Sequence, residues 1–159
     1  MGWGFTPPGY TYPMPTSAGG SRTAAVEAHG PNGLRMRLGS GPDAAAEARH
    51  AIAELRADLD PPLMETLRLL VTELVSNSVR HTDCDSLTLR VAVGKAAVLT
   101  EVADDAPGFD AGAALEAERA EVRNADTGWG LFLVQRLARD WGVKKDGRSK
   151  RVWFELGRA

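Results

Sequence analysis

The strongest pattern in this sequence is a helical repeat of apolar residues between Pro61 and about His81. Its members recur at intervals of three or four positions: Leu63, Leu67, Leu70, Val71, Leu74 and Val75. This spacing places them on one face of an α-helix. The prolines at positions 61 and 62 fit a first helical turn, because the N–H that proline lacks would have no partner there. The pattern therefore predicts a long amphipathic helix.

Alternating apolar and polar residues predict β-strands on both sides of this helix. The predicted strands are 34–38, 87–93, 98–104 and a final hairpin of 142–145 and 151–156. The other predicted helices are 44–59, 130–141 and a polar helix over about 111–122, within an excursion of the chain from 105 to 127. Strands joined as hairpins, with helices grouped together, predict an α+β fold. We expect a two-layer sandwich in which helices cover one face of a mixed, mostly antiparallel sheet.

Composition narrows the classes of function. The 159 residues suit one domain, and 43% hydrophobic residues are enough for a core. Lys and Arg number 19 against 21 Asp and Glu, so no basic excess favours nucleic acid or an anionic membrane as a partner. The single cysteine, Cys84, excludes an internal disulfide and a multi-thiol metal site. These features, with no apolar run of membrane-spanning length, predict a cytoplasmic protein.

Residues 1–30 differ from the rest of the chain in composition. They are rich in Pro, Gly, Ser and Thr, and they contain the aromatics Trp3, Phe5, Tyr10 and Tyr12. Such a stretch buries too little apolar surface to offset its ordering entropy. We therefore expect a flexible tail over 1–30 and a folded domain over 31–159, and docking of the aromatics onto a partner is the alternative.

Two polar residues of the long helix, Glu73 and Asn77, lie on the same side of it. Glu73 and Asn77 are one turn apart, and Asn77 projects about 20° from Leu70 at about 100° per residue. They would thus lie at the margin of the apolar stripe, where desolvation without partners costs about 1–3 kcal/mol each. Satisfaction by water or backbone is one interpretation. The other is a site in which the amide oxygen binds a cation and the carboxylate accepts a proton.

The strand over 98–104 ends in a carboxylate followed by a break. Asp104 has the parity of Val98 and Val102, so it points where those valines point. A carboxylate at the rim of a core needs a hydrogen-bond donor, and the exocyclic amino group of a purine is one. Gly108 would let a flat ring approach the backbone closely. An ordinary Asp-Pro-Gly turn is the alternative.

A third motif places Gly128 and Gly130 immediately before the helix predicted over 130–141. The free N–H groups and the positive dipole end of a helix start attract phosphate. The spacing is that of neither a GxxxxGK[ST] loop nor a GxGxxG motif after a strand. An ordinary first helical turn explains the motif equally well.

In this order and spacing, ExxxN on a helix, DxxxG after a strand and GxG before a helix resemble the motifs of the GHKL, or histidine kinase-like, ATPase superfamily. The segments TELVSNSVRHT, VADDAPGF, TGWGLFLVQRLARDWGV and RVWFEL are most similar to bacterial anti-sigma factor serine/threonine kinases. The resemblance covers about residues 34 to 156.

The resemblance implies an ATP-binding fold and a role for each matching residue. Glu73 would be the general base, and Asn77 would ligate the Mg²⁺ that bridges the phosphates. Asp104 would accept a hydrogen bond from the adenine amino group. The remaining contacts to the nucleotide would come from Gly108, Gly128, Gly130 and Leu131. The first glycine of the family's DxGxG pattern is replaced by Ala106, which predicts weakened binding.

The same resemblance implies a regulator that binds a sigma factor and phosphorylates an antagonist protein, with a homodimer as a family expectation. A non-catalytic module whose partner-binding surface is set by ATP is the main alternative. A detached sensor histidine kinase domain is a third, for which His29 and His50 are the histidines that precede the nucleotide motifs.

Overall fold

The computed structural model describes residues 25–30, 32–57, 59–81, 86–104, 130–146 and 149–158. The strands are β1 (Ala25–Gly30), β2 (Gly33–Gly39), β3 (Ser86–Val93), β4 (Ala97–Asp104), β5 (Asp140–Asp146) and β6 (Ser149–Gly157). The helices are α1 (Ala44–Ala53), α2 (Pro61–His81) and α3 (Gly130–Leu137), and a 3₁₀ turn (Glu54–Ala57) follows α1.

The described strands form one six-stranded sheet in the order β1-β2-β3-β4-β6-β5. Every pairing among them is antiparallel, so the mixed pairing that the sequence predicted is not found in the described part. The helices pack against this sheet, since α1 contacts β2, α2 contacts β4 and β6, and α3 contacts β5. The predicted α+β two-layer class is confirmed.

The apolar positions of neighbouring strands are in phase, and this builds the helix-facing side of the sheet. Leu34 lies opposite Val91, Val91 opposite Thr100, and Thr100 opposite Phe154. Phe154 is fully buried in a cluster that also contains the stripe of α2. Because side chains alternate across a strand, a shift of one residue in any pairing would turn these side chains away from the helices.

The described strands begin before residue 31, the predicted start of the folded domain. Residues 25–30, which the sequence assigned to the tail, form β1 and pair with β2 from Ala25 opposite Arg37 to Gly30 opposite Gly33. The strand joins through backbone hydrogen bonds at a sheet edge, and composition carries no signal for such pairing. Residues 1–24 lie outside the described part of the chain.

Two predicted helices are shorter than their patterns. The α1 helix ends at Ala53, where a 3₁₀ turn takes over, and α3 ends at Leu137. After α3 the Arg139 N–H donates to the Glu155 carbonyl at 2.8 Å, and Trp141, predicted to be helical, pairs with Phe154. Pairing with β6 therefore ends the helix before its apolar periodicity does. The predicted helix over 111–122 lies outside the described residues.

Across the described ranges, no helix has both the length and the apolar character that a membrane crossing requires.

Candidate functional site

The α2 helix holds Glu73 and Asn77 at the edge of its buried stripe. Both side chains are half-buried, while Leu70 and Leu74 on the adjoining stripe are buried. The position agrees with the angle expected from the sequence. The two residues are therefore supported by the core on one side and accessible from solvent on the other, which suits groups that have to meet a ligand.

Thr72, which precedes Glu73, forms a hydrogen bond that connects α2 to α1. The Thr72 hydroxyl donates to the Arg68 carbonyl at 2.7 Å and accepts from Arg49 Nη1 of α1 at 3.4 Å. A hydrogen bond between two helices limits rotation of α2 about its axis. The direction in which the Glu73 carboxylate projects is thus set by packing and by this contact.

Arg80 is a site residue that the sequence analysis missed. Its Nη2 donates a 2.6 Å hydrogen bond to Oδ1 of Asn77. The available signal was the spacing, because residues three apart are neighbours on a helix surface. The bond puts a permanent positive charge beside the amide oxygen that the resemblance assigns to Mg²⁺. An amide oxygen has two lone pairs, so this contact leaves one for a cation.

Asp104 is the last residue of β4 and is only 3% exposed. It lies opposite Leu87 on one side and Lys150 on the other, and it shares the helix-facing side with Val98 and Val102. The expected parity is therefore observed. A carboxylate buried at this position is an acceptor at the end of a strand, directly beneath the helical layer.

The third motif coincides with a helix start. Gly130 is the first residue of α3, as predicted, and Leu131 follows it in the first turn. That turn contains no acidic residue, so no side-chain carboxylate within it compensates the positive end of the helix dipole. The N–H groups at this end are suited to an anion such as phosphate. Gly108 and Gly128 lie outside the described residues.

The elements that carry the three motifs are in contact, because α2, which carries Glu73 and Asn77, packs against both β4 and α3. A carbonyl oxygen, a carboxylate at a strand end and a helix N-terminus are the groups that cation, purine and phosphate require. Among the described residues no cluster of three or more His, Cys, Asp and Glu could hold a metal by itself. Mg²⁺ that takes most ligands from phosphates and water needs only one or two from protein. The residues present fit Mg-ATP.

A sequence model of the histidine kinase-like ATPase domain matches residues 39–156, which is more than half of the chain. The chain belongs to the histidine kinase-like ATPase family. The resemblance inferred from the three motifs is thereby confirmed. The match indicates an ATP-binding domain, and domains of this family typically bind ATP with Mg²⁺.

Solved structures show the same fold for this histidine kinase-like ATPase domain. One is the crystal structure of the RsbU and RsbW domains of Rv1364c from Mycobacterium tuberculosis, with a TM-score of 0.59 and 17% identity. The similarity covers 84% of this chain and 34% of that chain, so this chain spans about a third of that protein's crystallised length. Comparison with curated proteins gave no match.

Proposed function

We propose that this ATPase domain is an ATP-dependent protein serine/threonine kinase that acts as an anti-sigma-like regulator. The observation that carries the proposal is the placement of Glu73, a half-buried carboxylate one turn before Asn77 on a helix in contact with β4 and α3. Nucleotide binding requires a cation ligand and a base-recognition group. It does not require a second carboxylate beside them, whereas transfer to a hydroxyl is accelerated by a group that accepts the hydroxyl proton.

Each site residue within the described ranges has a role in the proposed mechanism. Asn77 would hold Mg²⁺ through its amide oxygen, Asp104 would accept from the adenine amino group, and the N–H groups at Gly130 and Leu131 would bind phosphate oxygens. Gly108 and Gly128 keep the backbone-contact roles that the resemblance implies. Bound ATP supplies the γ-phosphoryl group.

Glu73 provides the acid–base chemistry. A serine or threonine hydroxyl of the substrate protein attacks more readily when a carboxylate accepts its proton, and Glu73 has the solvent access that such a substrate needs. Arg80 adds a positive charge next to Asn77, where negative charge on the transferring group is concentrated. The two residues flank Asn77 along the helix, one turn before it and one turn after it.

The resemblance also supplies the proposed partners. We expect a sigma factor and an antagonist protein that carries the phosphorylated serine or threonine, in the cytoplasm, with homodimerisation of this domain. The fold that this chain shares with an RsbW domain supports this choice.

A second candidate is a nucleotide-gated binding module without transfer. Ala106 favours it, because a methyl group in place of the first glycine of the motif weakens nucleotide contacts. The sensor histidine kinase alternative loses support, because His50 lies on α1 inside the helical layer and His29 lies in β1 of the sheet. Neither histidine is on a helix separate from the ATPase fold.

The test combines a transfer assay with a binding measurement. The purified protein and its Glu73→Gln variant are incubated with γ-labelled Mg-ATP and extract from the source organism. Acid-stable label on a serine or threonine of a small protein, absent with Glu73→Gln, supports the kinase. Calorimetry has to show equal ATP affinity for the two proteins. No label with intact ATP binding would replace the kinase by the binding module, and lost affinity in the variant would remove the role of Glu73 as a base.

A further inference from the structure

Two large apolar side chains are exposed among the residues that the structure describes. They are Leu69 on α2, which is 41% exposed, and Leu137 at the end of α3, which is 46% exposed. A single exposed leucine is ordinary, because polar groups cannot cover the whole of a protein surface. These two leucines belong to helices that contact each other, so their relative position decides whether they form one surface.

Leu69 projects from the outward surface of α2, beside Glu73. At about 100° per residue, Leu69 lies about 60° from Thr72 and about 40° from Glu73 around the helix. The Thr72 side faces α1, because the Thr72 hydroxyl accepts a hydrogen bond from Arg49. The Glu73 side faces α3, because α2 packs on β4 and β6, between α1 on β2 and α3 on β5. Leu69 therefore lies next to the α3 side, one turn before the proposed base.

The position of Leu69 along the sheet follows from the end of α2. The helix ends at His81, shortly before β3 begins next to the pair formed by Leu87 and Asp104. Leu69 is therefore about 18 Å from the Asp104 end of the sheet, at about 1.5 Å per helical residue. The α2 helix runs towards that end.

The position of Leu137 follows from the contact after α3. The Arg139 N–H donates to the Glu155 carbonyl, and Glu155 lies opposite Leu99. Leu99 is about 17 Å from Asp104 along β4, at about 3.3 Å per strand residue. Leu137, two residues before Arg139, is therefore at about the same level as Leu69.

Leu137 lies on the side of α3 that faces α2. One turn before it, Leu133 packs against the apolar cluster that contains the buried stripe of α2. Residues four apart share one side of a helix, so Leu137 extends that side towards solvent. We call Leu69 and Leu137 the leucine pair. The two side chains flank the groove between α2 and α3.

The leucine pair and the proposed nucleotide contacts lie on opposite sides of Glu73. Asn77 is one turn after Glu73, towards the Asp104 end of the sheet, and Leu69 is one turn before it. In phosphoryl transfer the attacking oxygen and the leaving oxygen are roughly in line, so the acceptor hydroxyl approaches from the side away from the nucleotide. The segment that carries this hydroxyl to Glu73 therefore passes over the leucine pair.

The distances define which residue of that segment meets the leucines. Successive turns of α2 are about 5.4 Å apart, and an extended segment advances about 3.3 Å per residue. With the acceptor hydroxyl at Glu73, the residue two positions away lies beside Leu69. Burial of the leucines is favourable only against an apolar side chain.

We infer that the leucine pair is the docking site for the substrate protein and selects an apolar side chain two positions from the acceptor serine or threonine. The inference rests on the proposed kinase activity and specifies which acceptor sequences the kinase takes. Leu69 and Leu137 are then determinants of specificity that bind the substrate and take no part in proton transfer.

Mapping the labelled residue of the acceptor tests the inference without any variant. Transfer from γ-labelled Mg-ATP in extract is followed by purification of the labelled protein and identification of the modified serine or threonine. The expected result is an apolar residue two positions before or after it. Polar or charged residues at both positions would overturn the inference.

Kinetics with the purified acceptor give a second test. The double variant Leu69→Asn, Leu137→Asn should lower kcat/KM for the acceptor by at least about tenfold, mainly through KM, because it removes binding and leaves the chemical step intact. Its ATP affinity should be unchanged, which also shows that the variant is folded. The matched control, Ala46→Asn at an exposed position on α1, should retain the parent kcat/KM.

The acceptor itself offers the complementary change. Replacing its apolar residue by asparagine should lower kcat/KM with the parent kinase by a similar factor and cause little further loss with the double variant, as expected for residues in contact. Independent, additive losses would contradict the contact.

Failure of the proposed function gives a different result from failure of the docking site. No transfer by the parent protein would remove the kinase. Transfer with an unchanged kcat/KM for the double variant would overturn the docking site alone. Unchanged transfer together with a loss of self-association in the double variant would assign the leucine pair to contact between two copies of the chain.

Discussion

Arg80 donates a 2.6 Å hydrogen bond to the amide oxygen of Asn77, the residue one turn before it on α2. The amide oxygen that the family assigns to Mg²⁺ thus has a guanidinium as its neighbour. Since the pair is exposed, its contribution to the free energy of unfolding is small. We interpret the contact as an arrangement for ligand binding, with Arg80 available to phosphate oxygens.

The first prediction concerns Arg80. Arg80→Ala should weaken Mg-ATP binding by about three- to tenfold, since a charge-assisted hydrogen bond contributes about 1 kcal/mol at an accessible position. Arg80→Lys should restore part of the affinity. The measurement is calorimetry at two salt concentrations, and the deficit should shrink at high salt. Equal affinity for Arg80→Ala and the parent protein would limit Arg80 to orienting Asn77.

The second prediction concerns base recognition by Asp104. Asp104→Asn should lower ATP affinity by at least about tenfold, because a buried acceptor that loses its charge also presents a donor to the adenine amino group. Binding of inorganic pyrophosphate, which has no base, should be unaffected. Asp140→Asn, at an exposed carboxylate of β5, is the matched control and should bind ATP normally. A parallel loss of pyrophosphate binding would point to misfolding instead of lost recognition.

The third prediction concerns the departure from the family motif. Ala106→Gly should tighten ATP binding by up to about fivefold, because the family's DxGxG pattern has glycine at this position and loss of the methyl group lets the purine approach the backbone more closely. Fluorescence titration with a labelled ATP analogue measures the change. Ala111→Gly, in the same stretch of the chain, serves as the control for a general gain in flexibility. Unchanged or weaker binding by Ala106→Gly would show that the glycine is not required here.

The fourth prediction concerns the β5–β6 pairing. A Cβ atom added at Gly142 would lie 2.8 Å from Nε1 of Trp153, its register partner. Gly142→Ala should therefore lower the free energy of unfolding by about 1–3 kcal/mol, as overpacking does. Trp153→Leu in the same chain should recover part of this loss, because it removes the ring. Chemical denaturation of both single variants and the double variant measures the coupling, and simple additivity would contradict the close contact.

Local patterns were sufficient for most of the elements. The apolar repeat of α2 predicted a helix that the structure has from Pro61 to His81, and parity placed Asp104 on the side of Val98 and Val102. Gly130 was predicted to begin a helix and does so. These features depend on the spacing of neighbouring residues, which is visible in the sequence itself.

Features that depend on pairing with another strand were not predicted in this way. Nothing in residues 25–30 distinguishes a strand from the stretch before them, and they are ordered by the edge of β2. The helix predicted to reach Trp141 ends at Leu137, because the Glu155 carbonyl accepts a hydrogen bond from the Arg139 N–H. In both cases backbone pairing with another strand outweighs a local propensity of a few tenths of a kcal/mol.

The sequence by itself determined the family, the order of the described elements from β2 onward and the polar residues that mark the three motifs. Only the tertiary structure decided that α2 contacts both β4 and α3 and that Arg80 reaches Asn77. The physical reason is that helix and strand periodicity is set by residues within one or two turns of each other. Burial and contact between elements depend on which surfaces remain to be covered once the whole chain has folded.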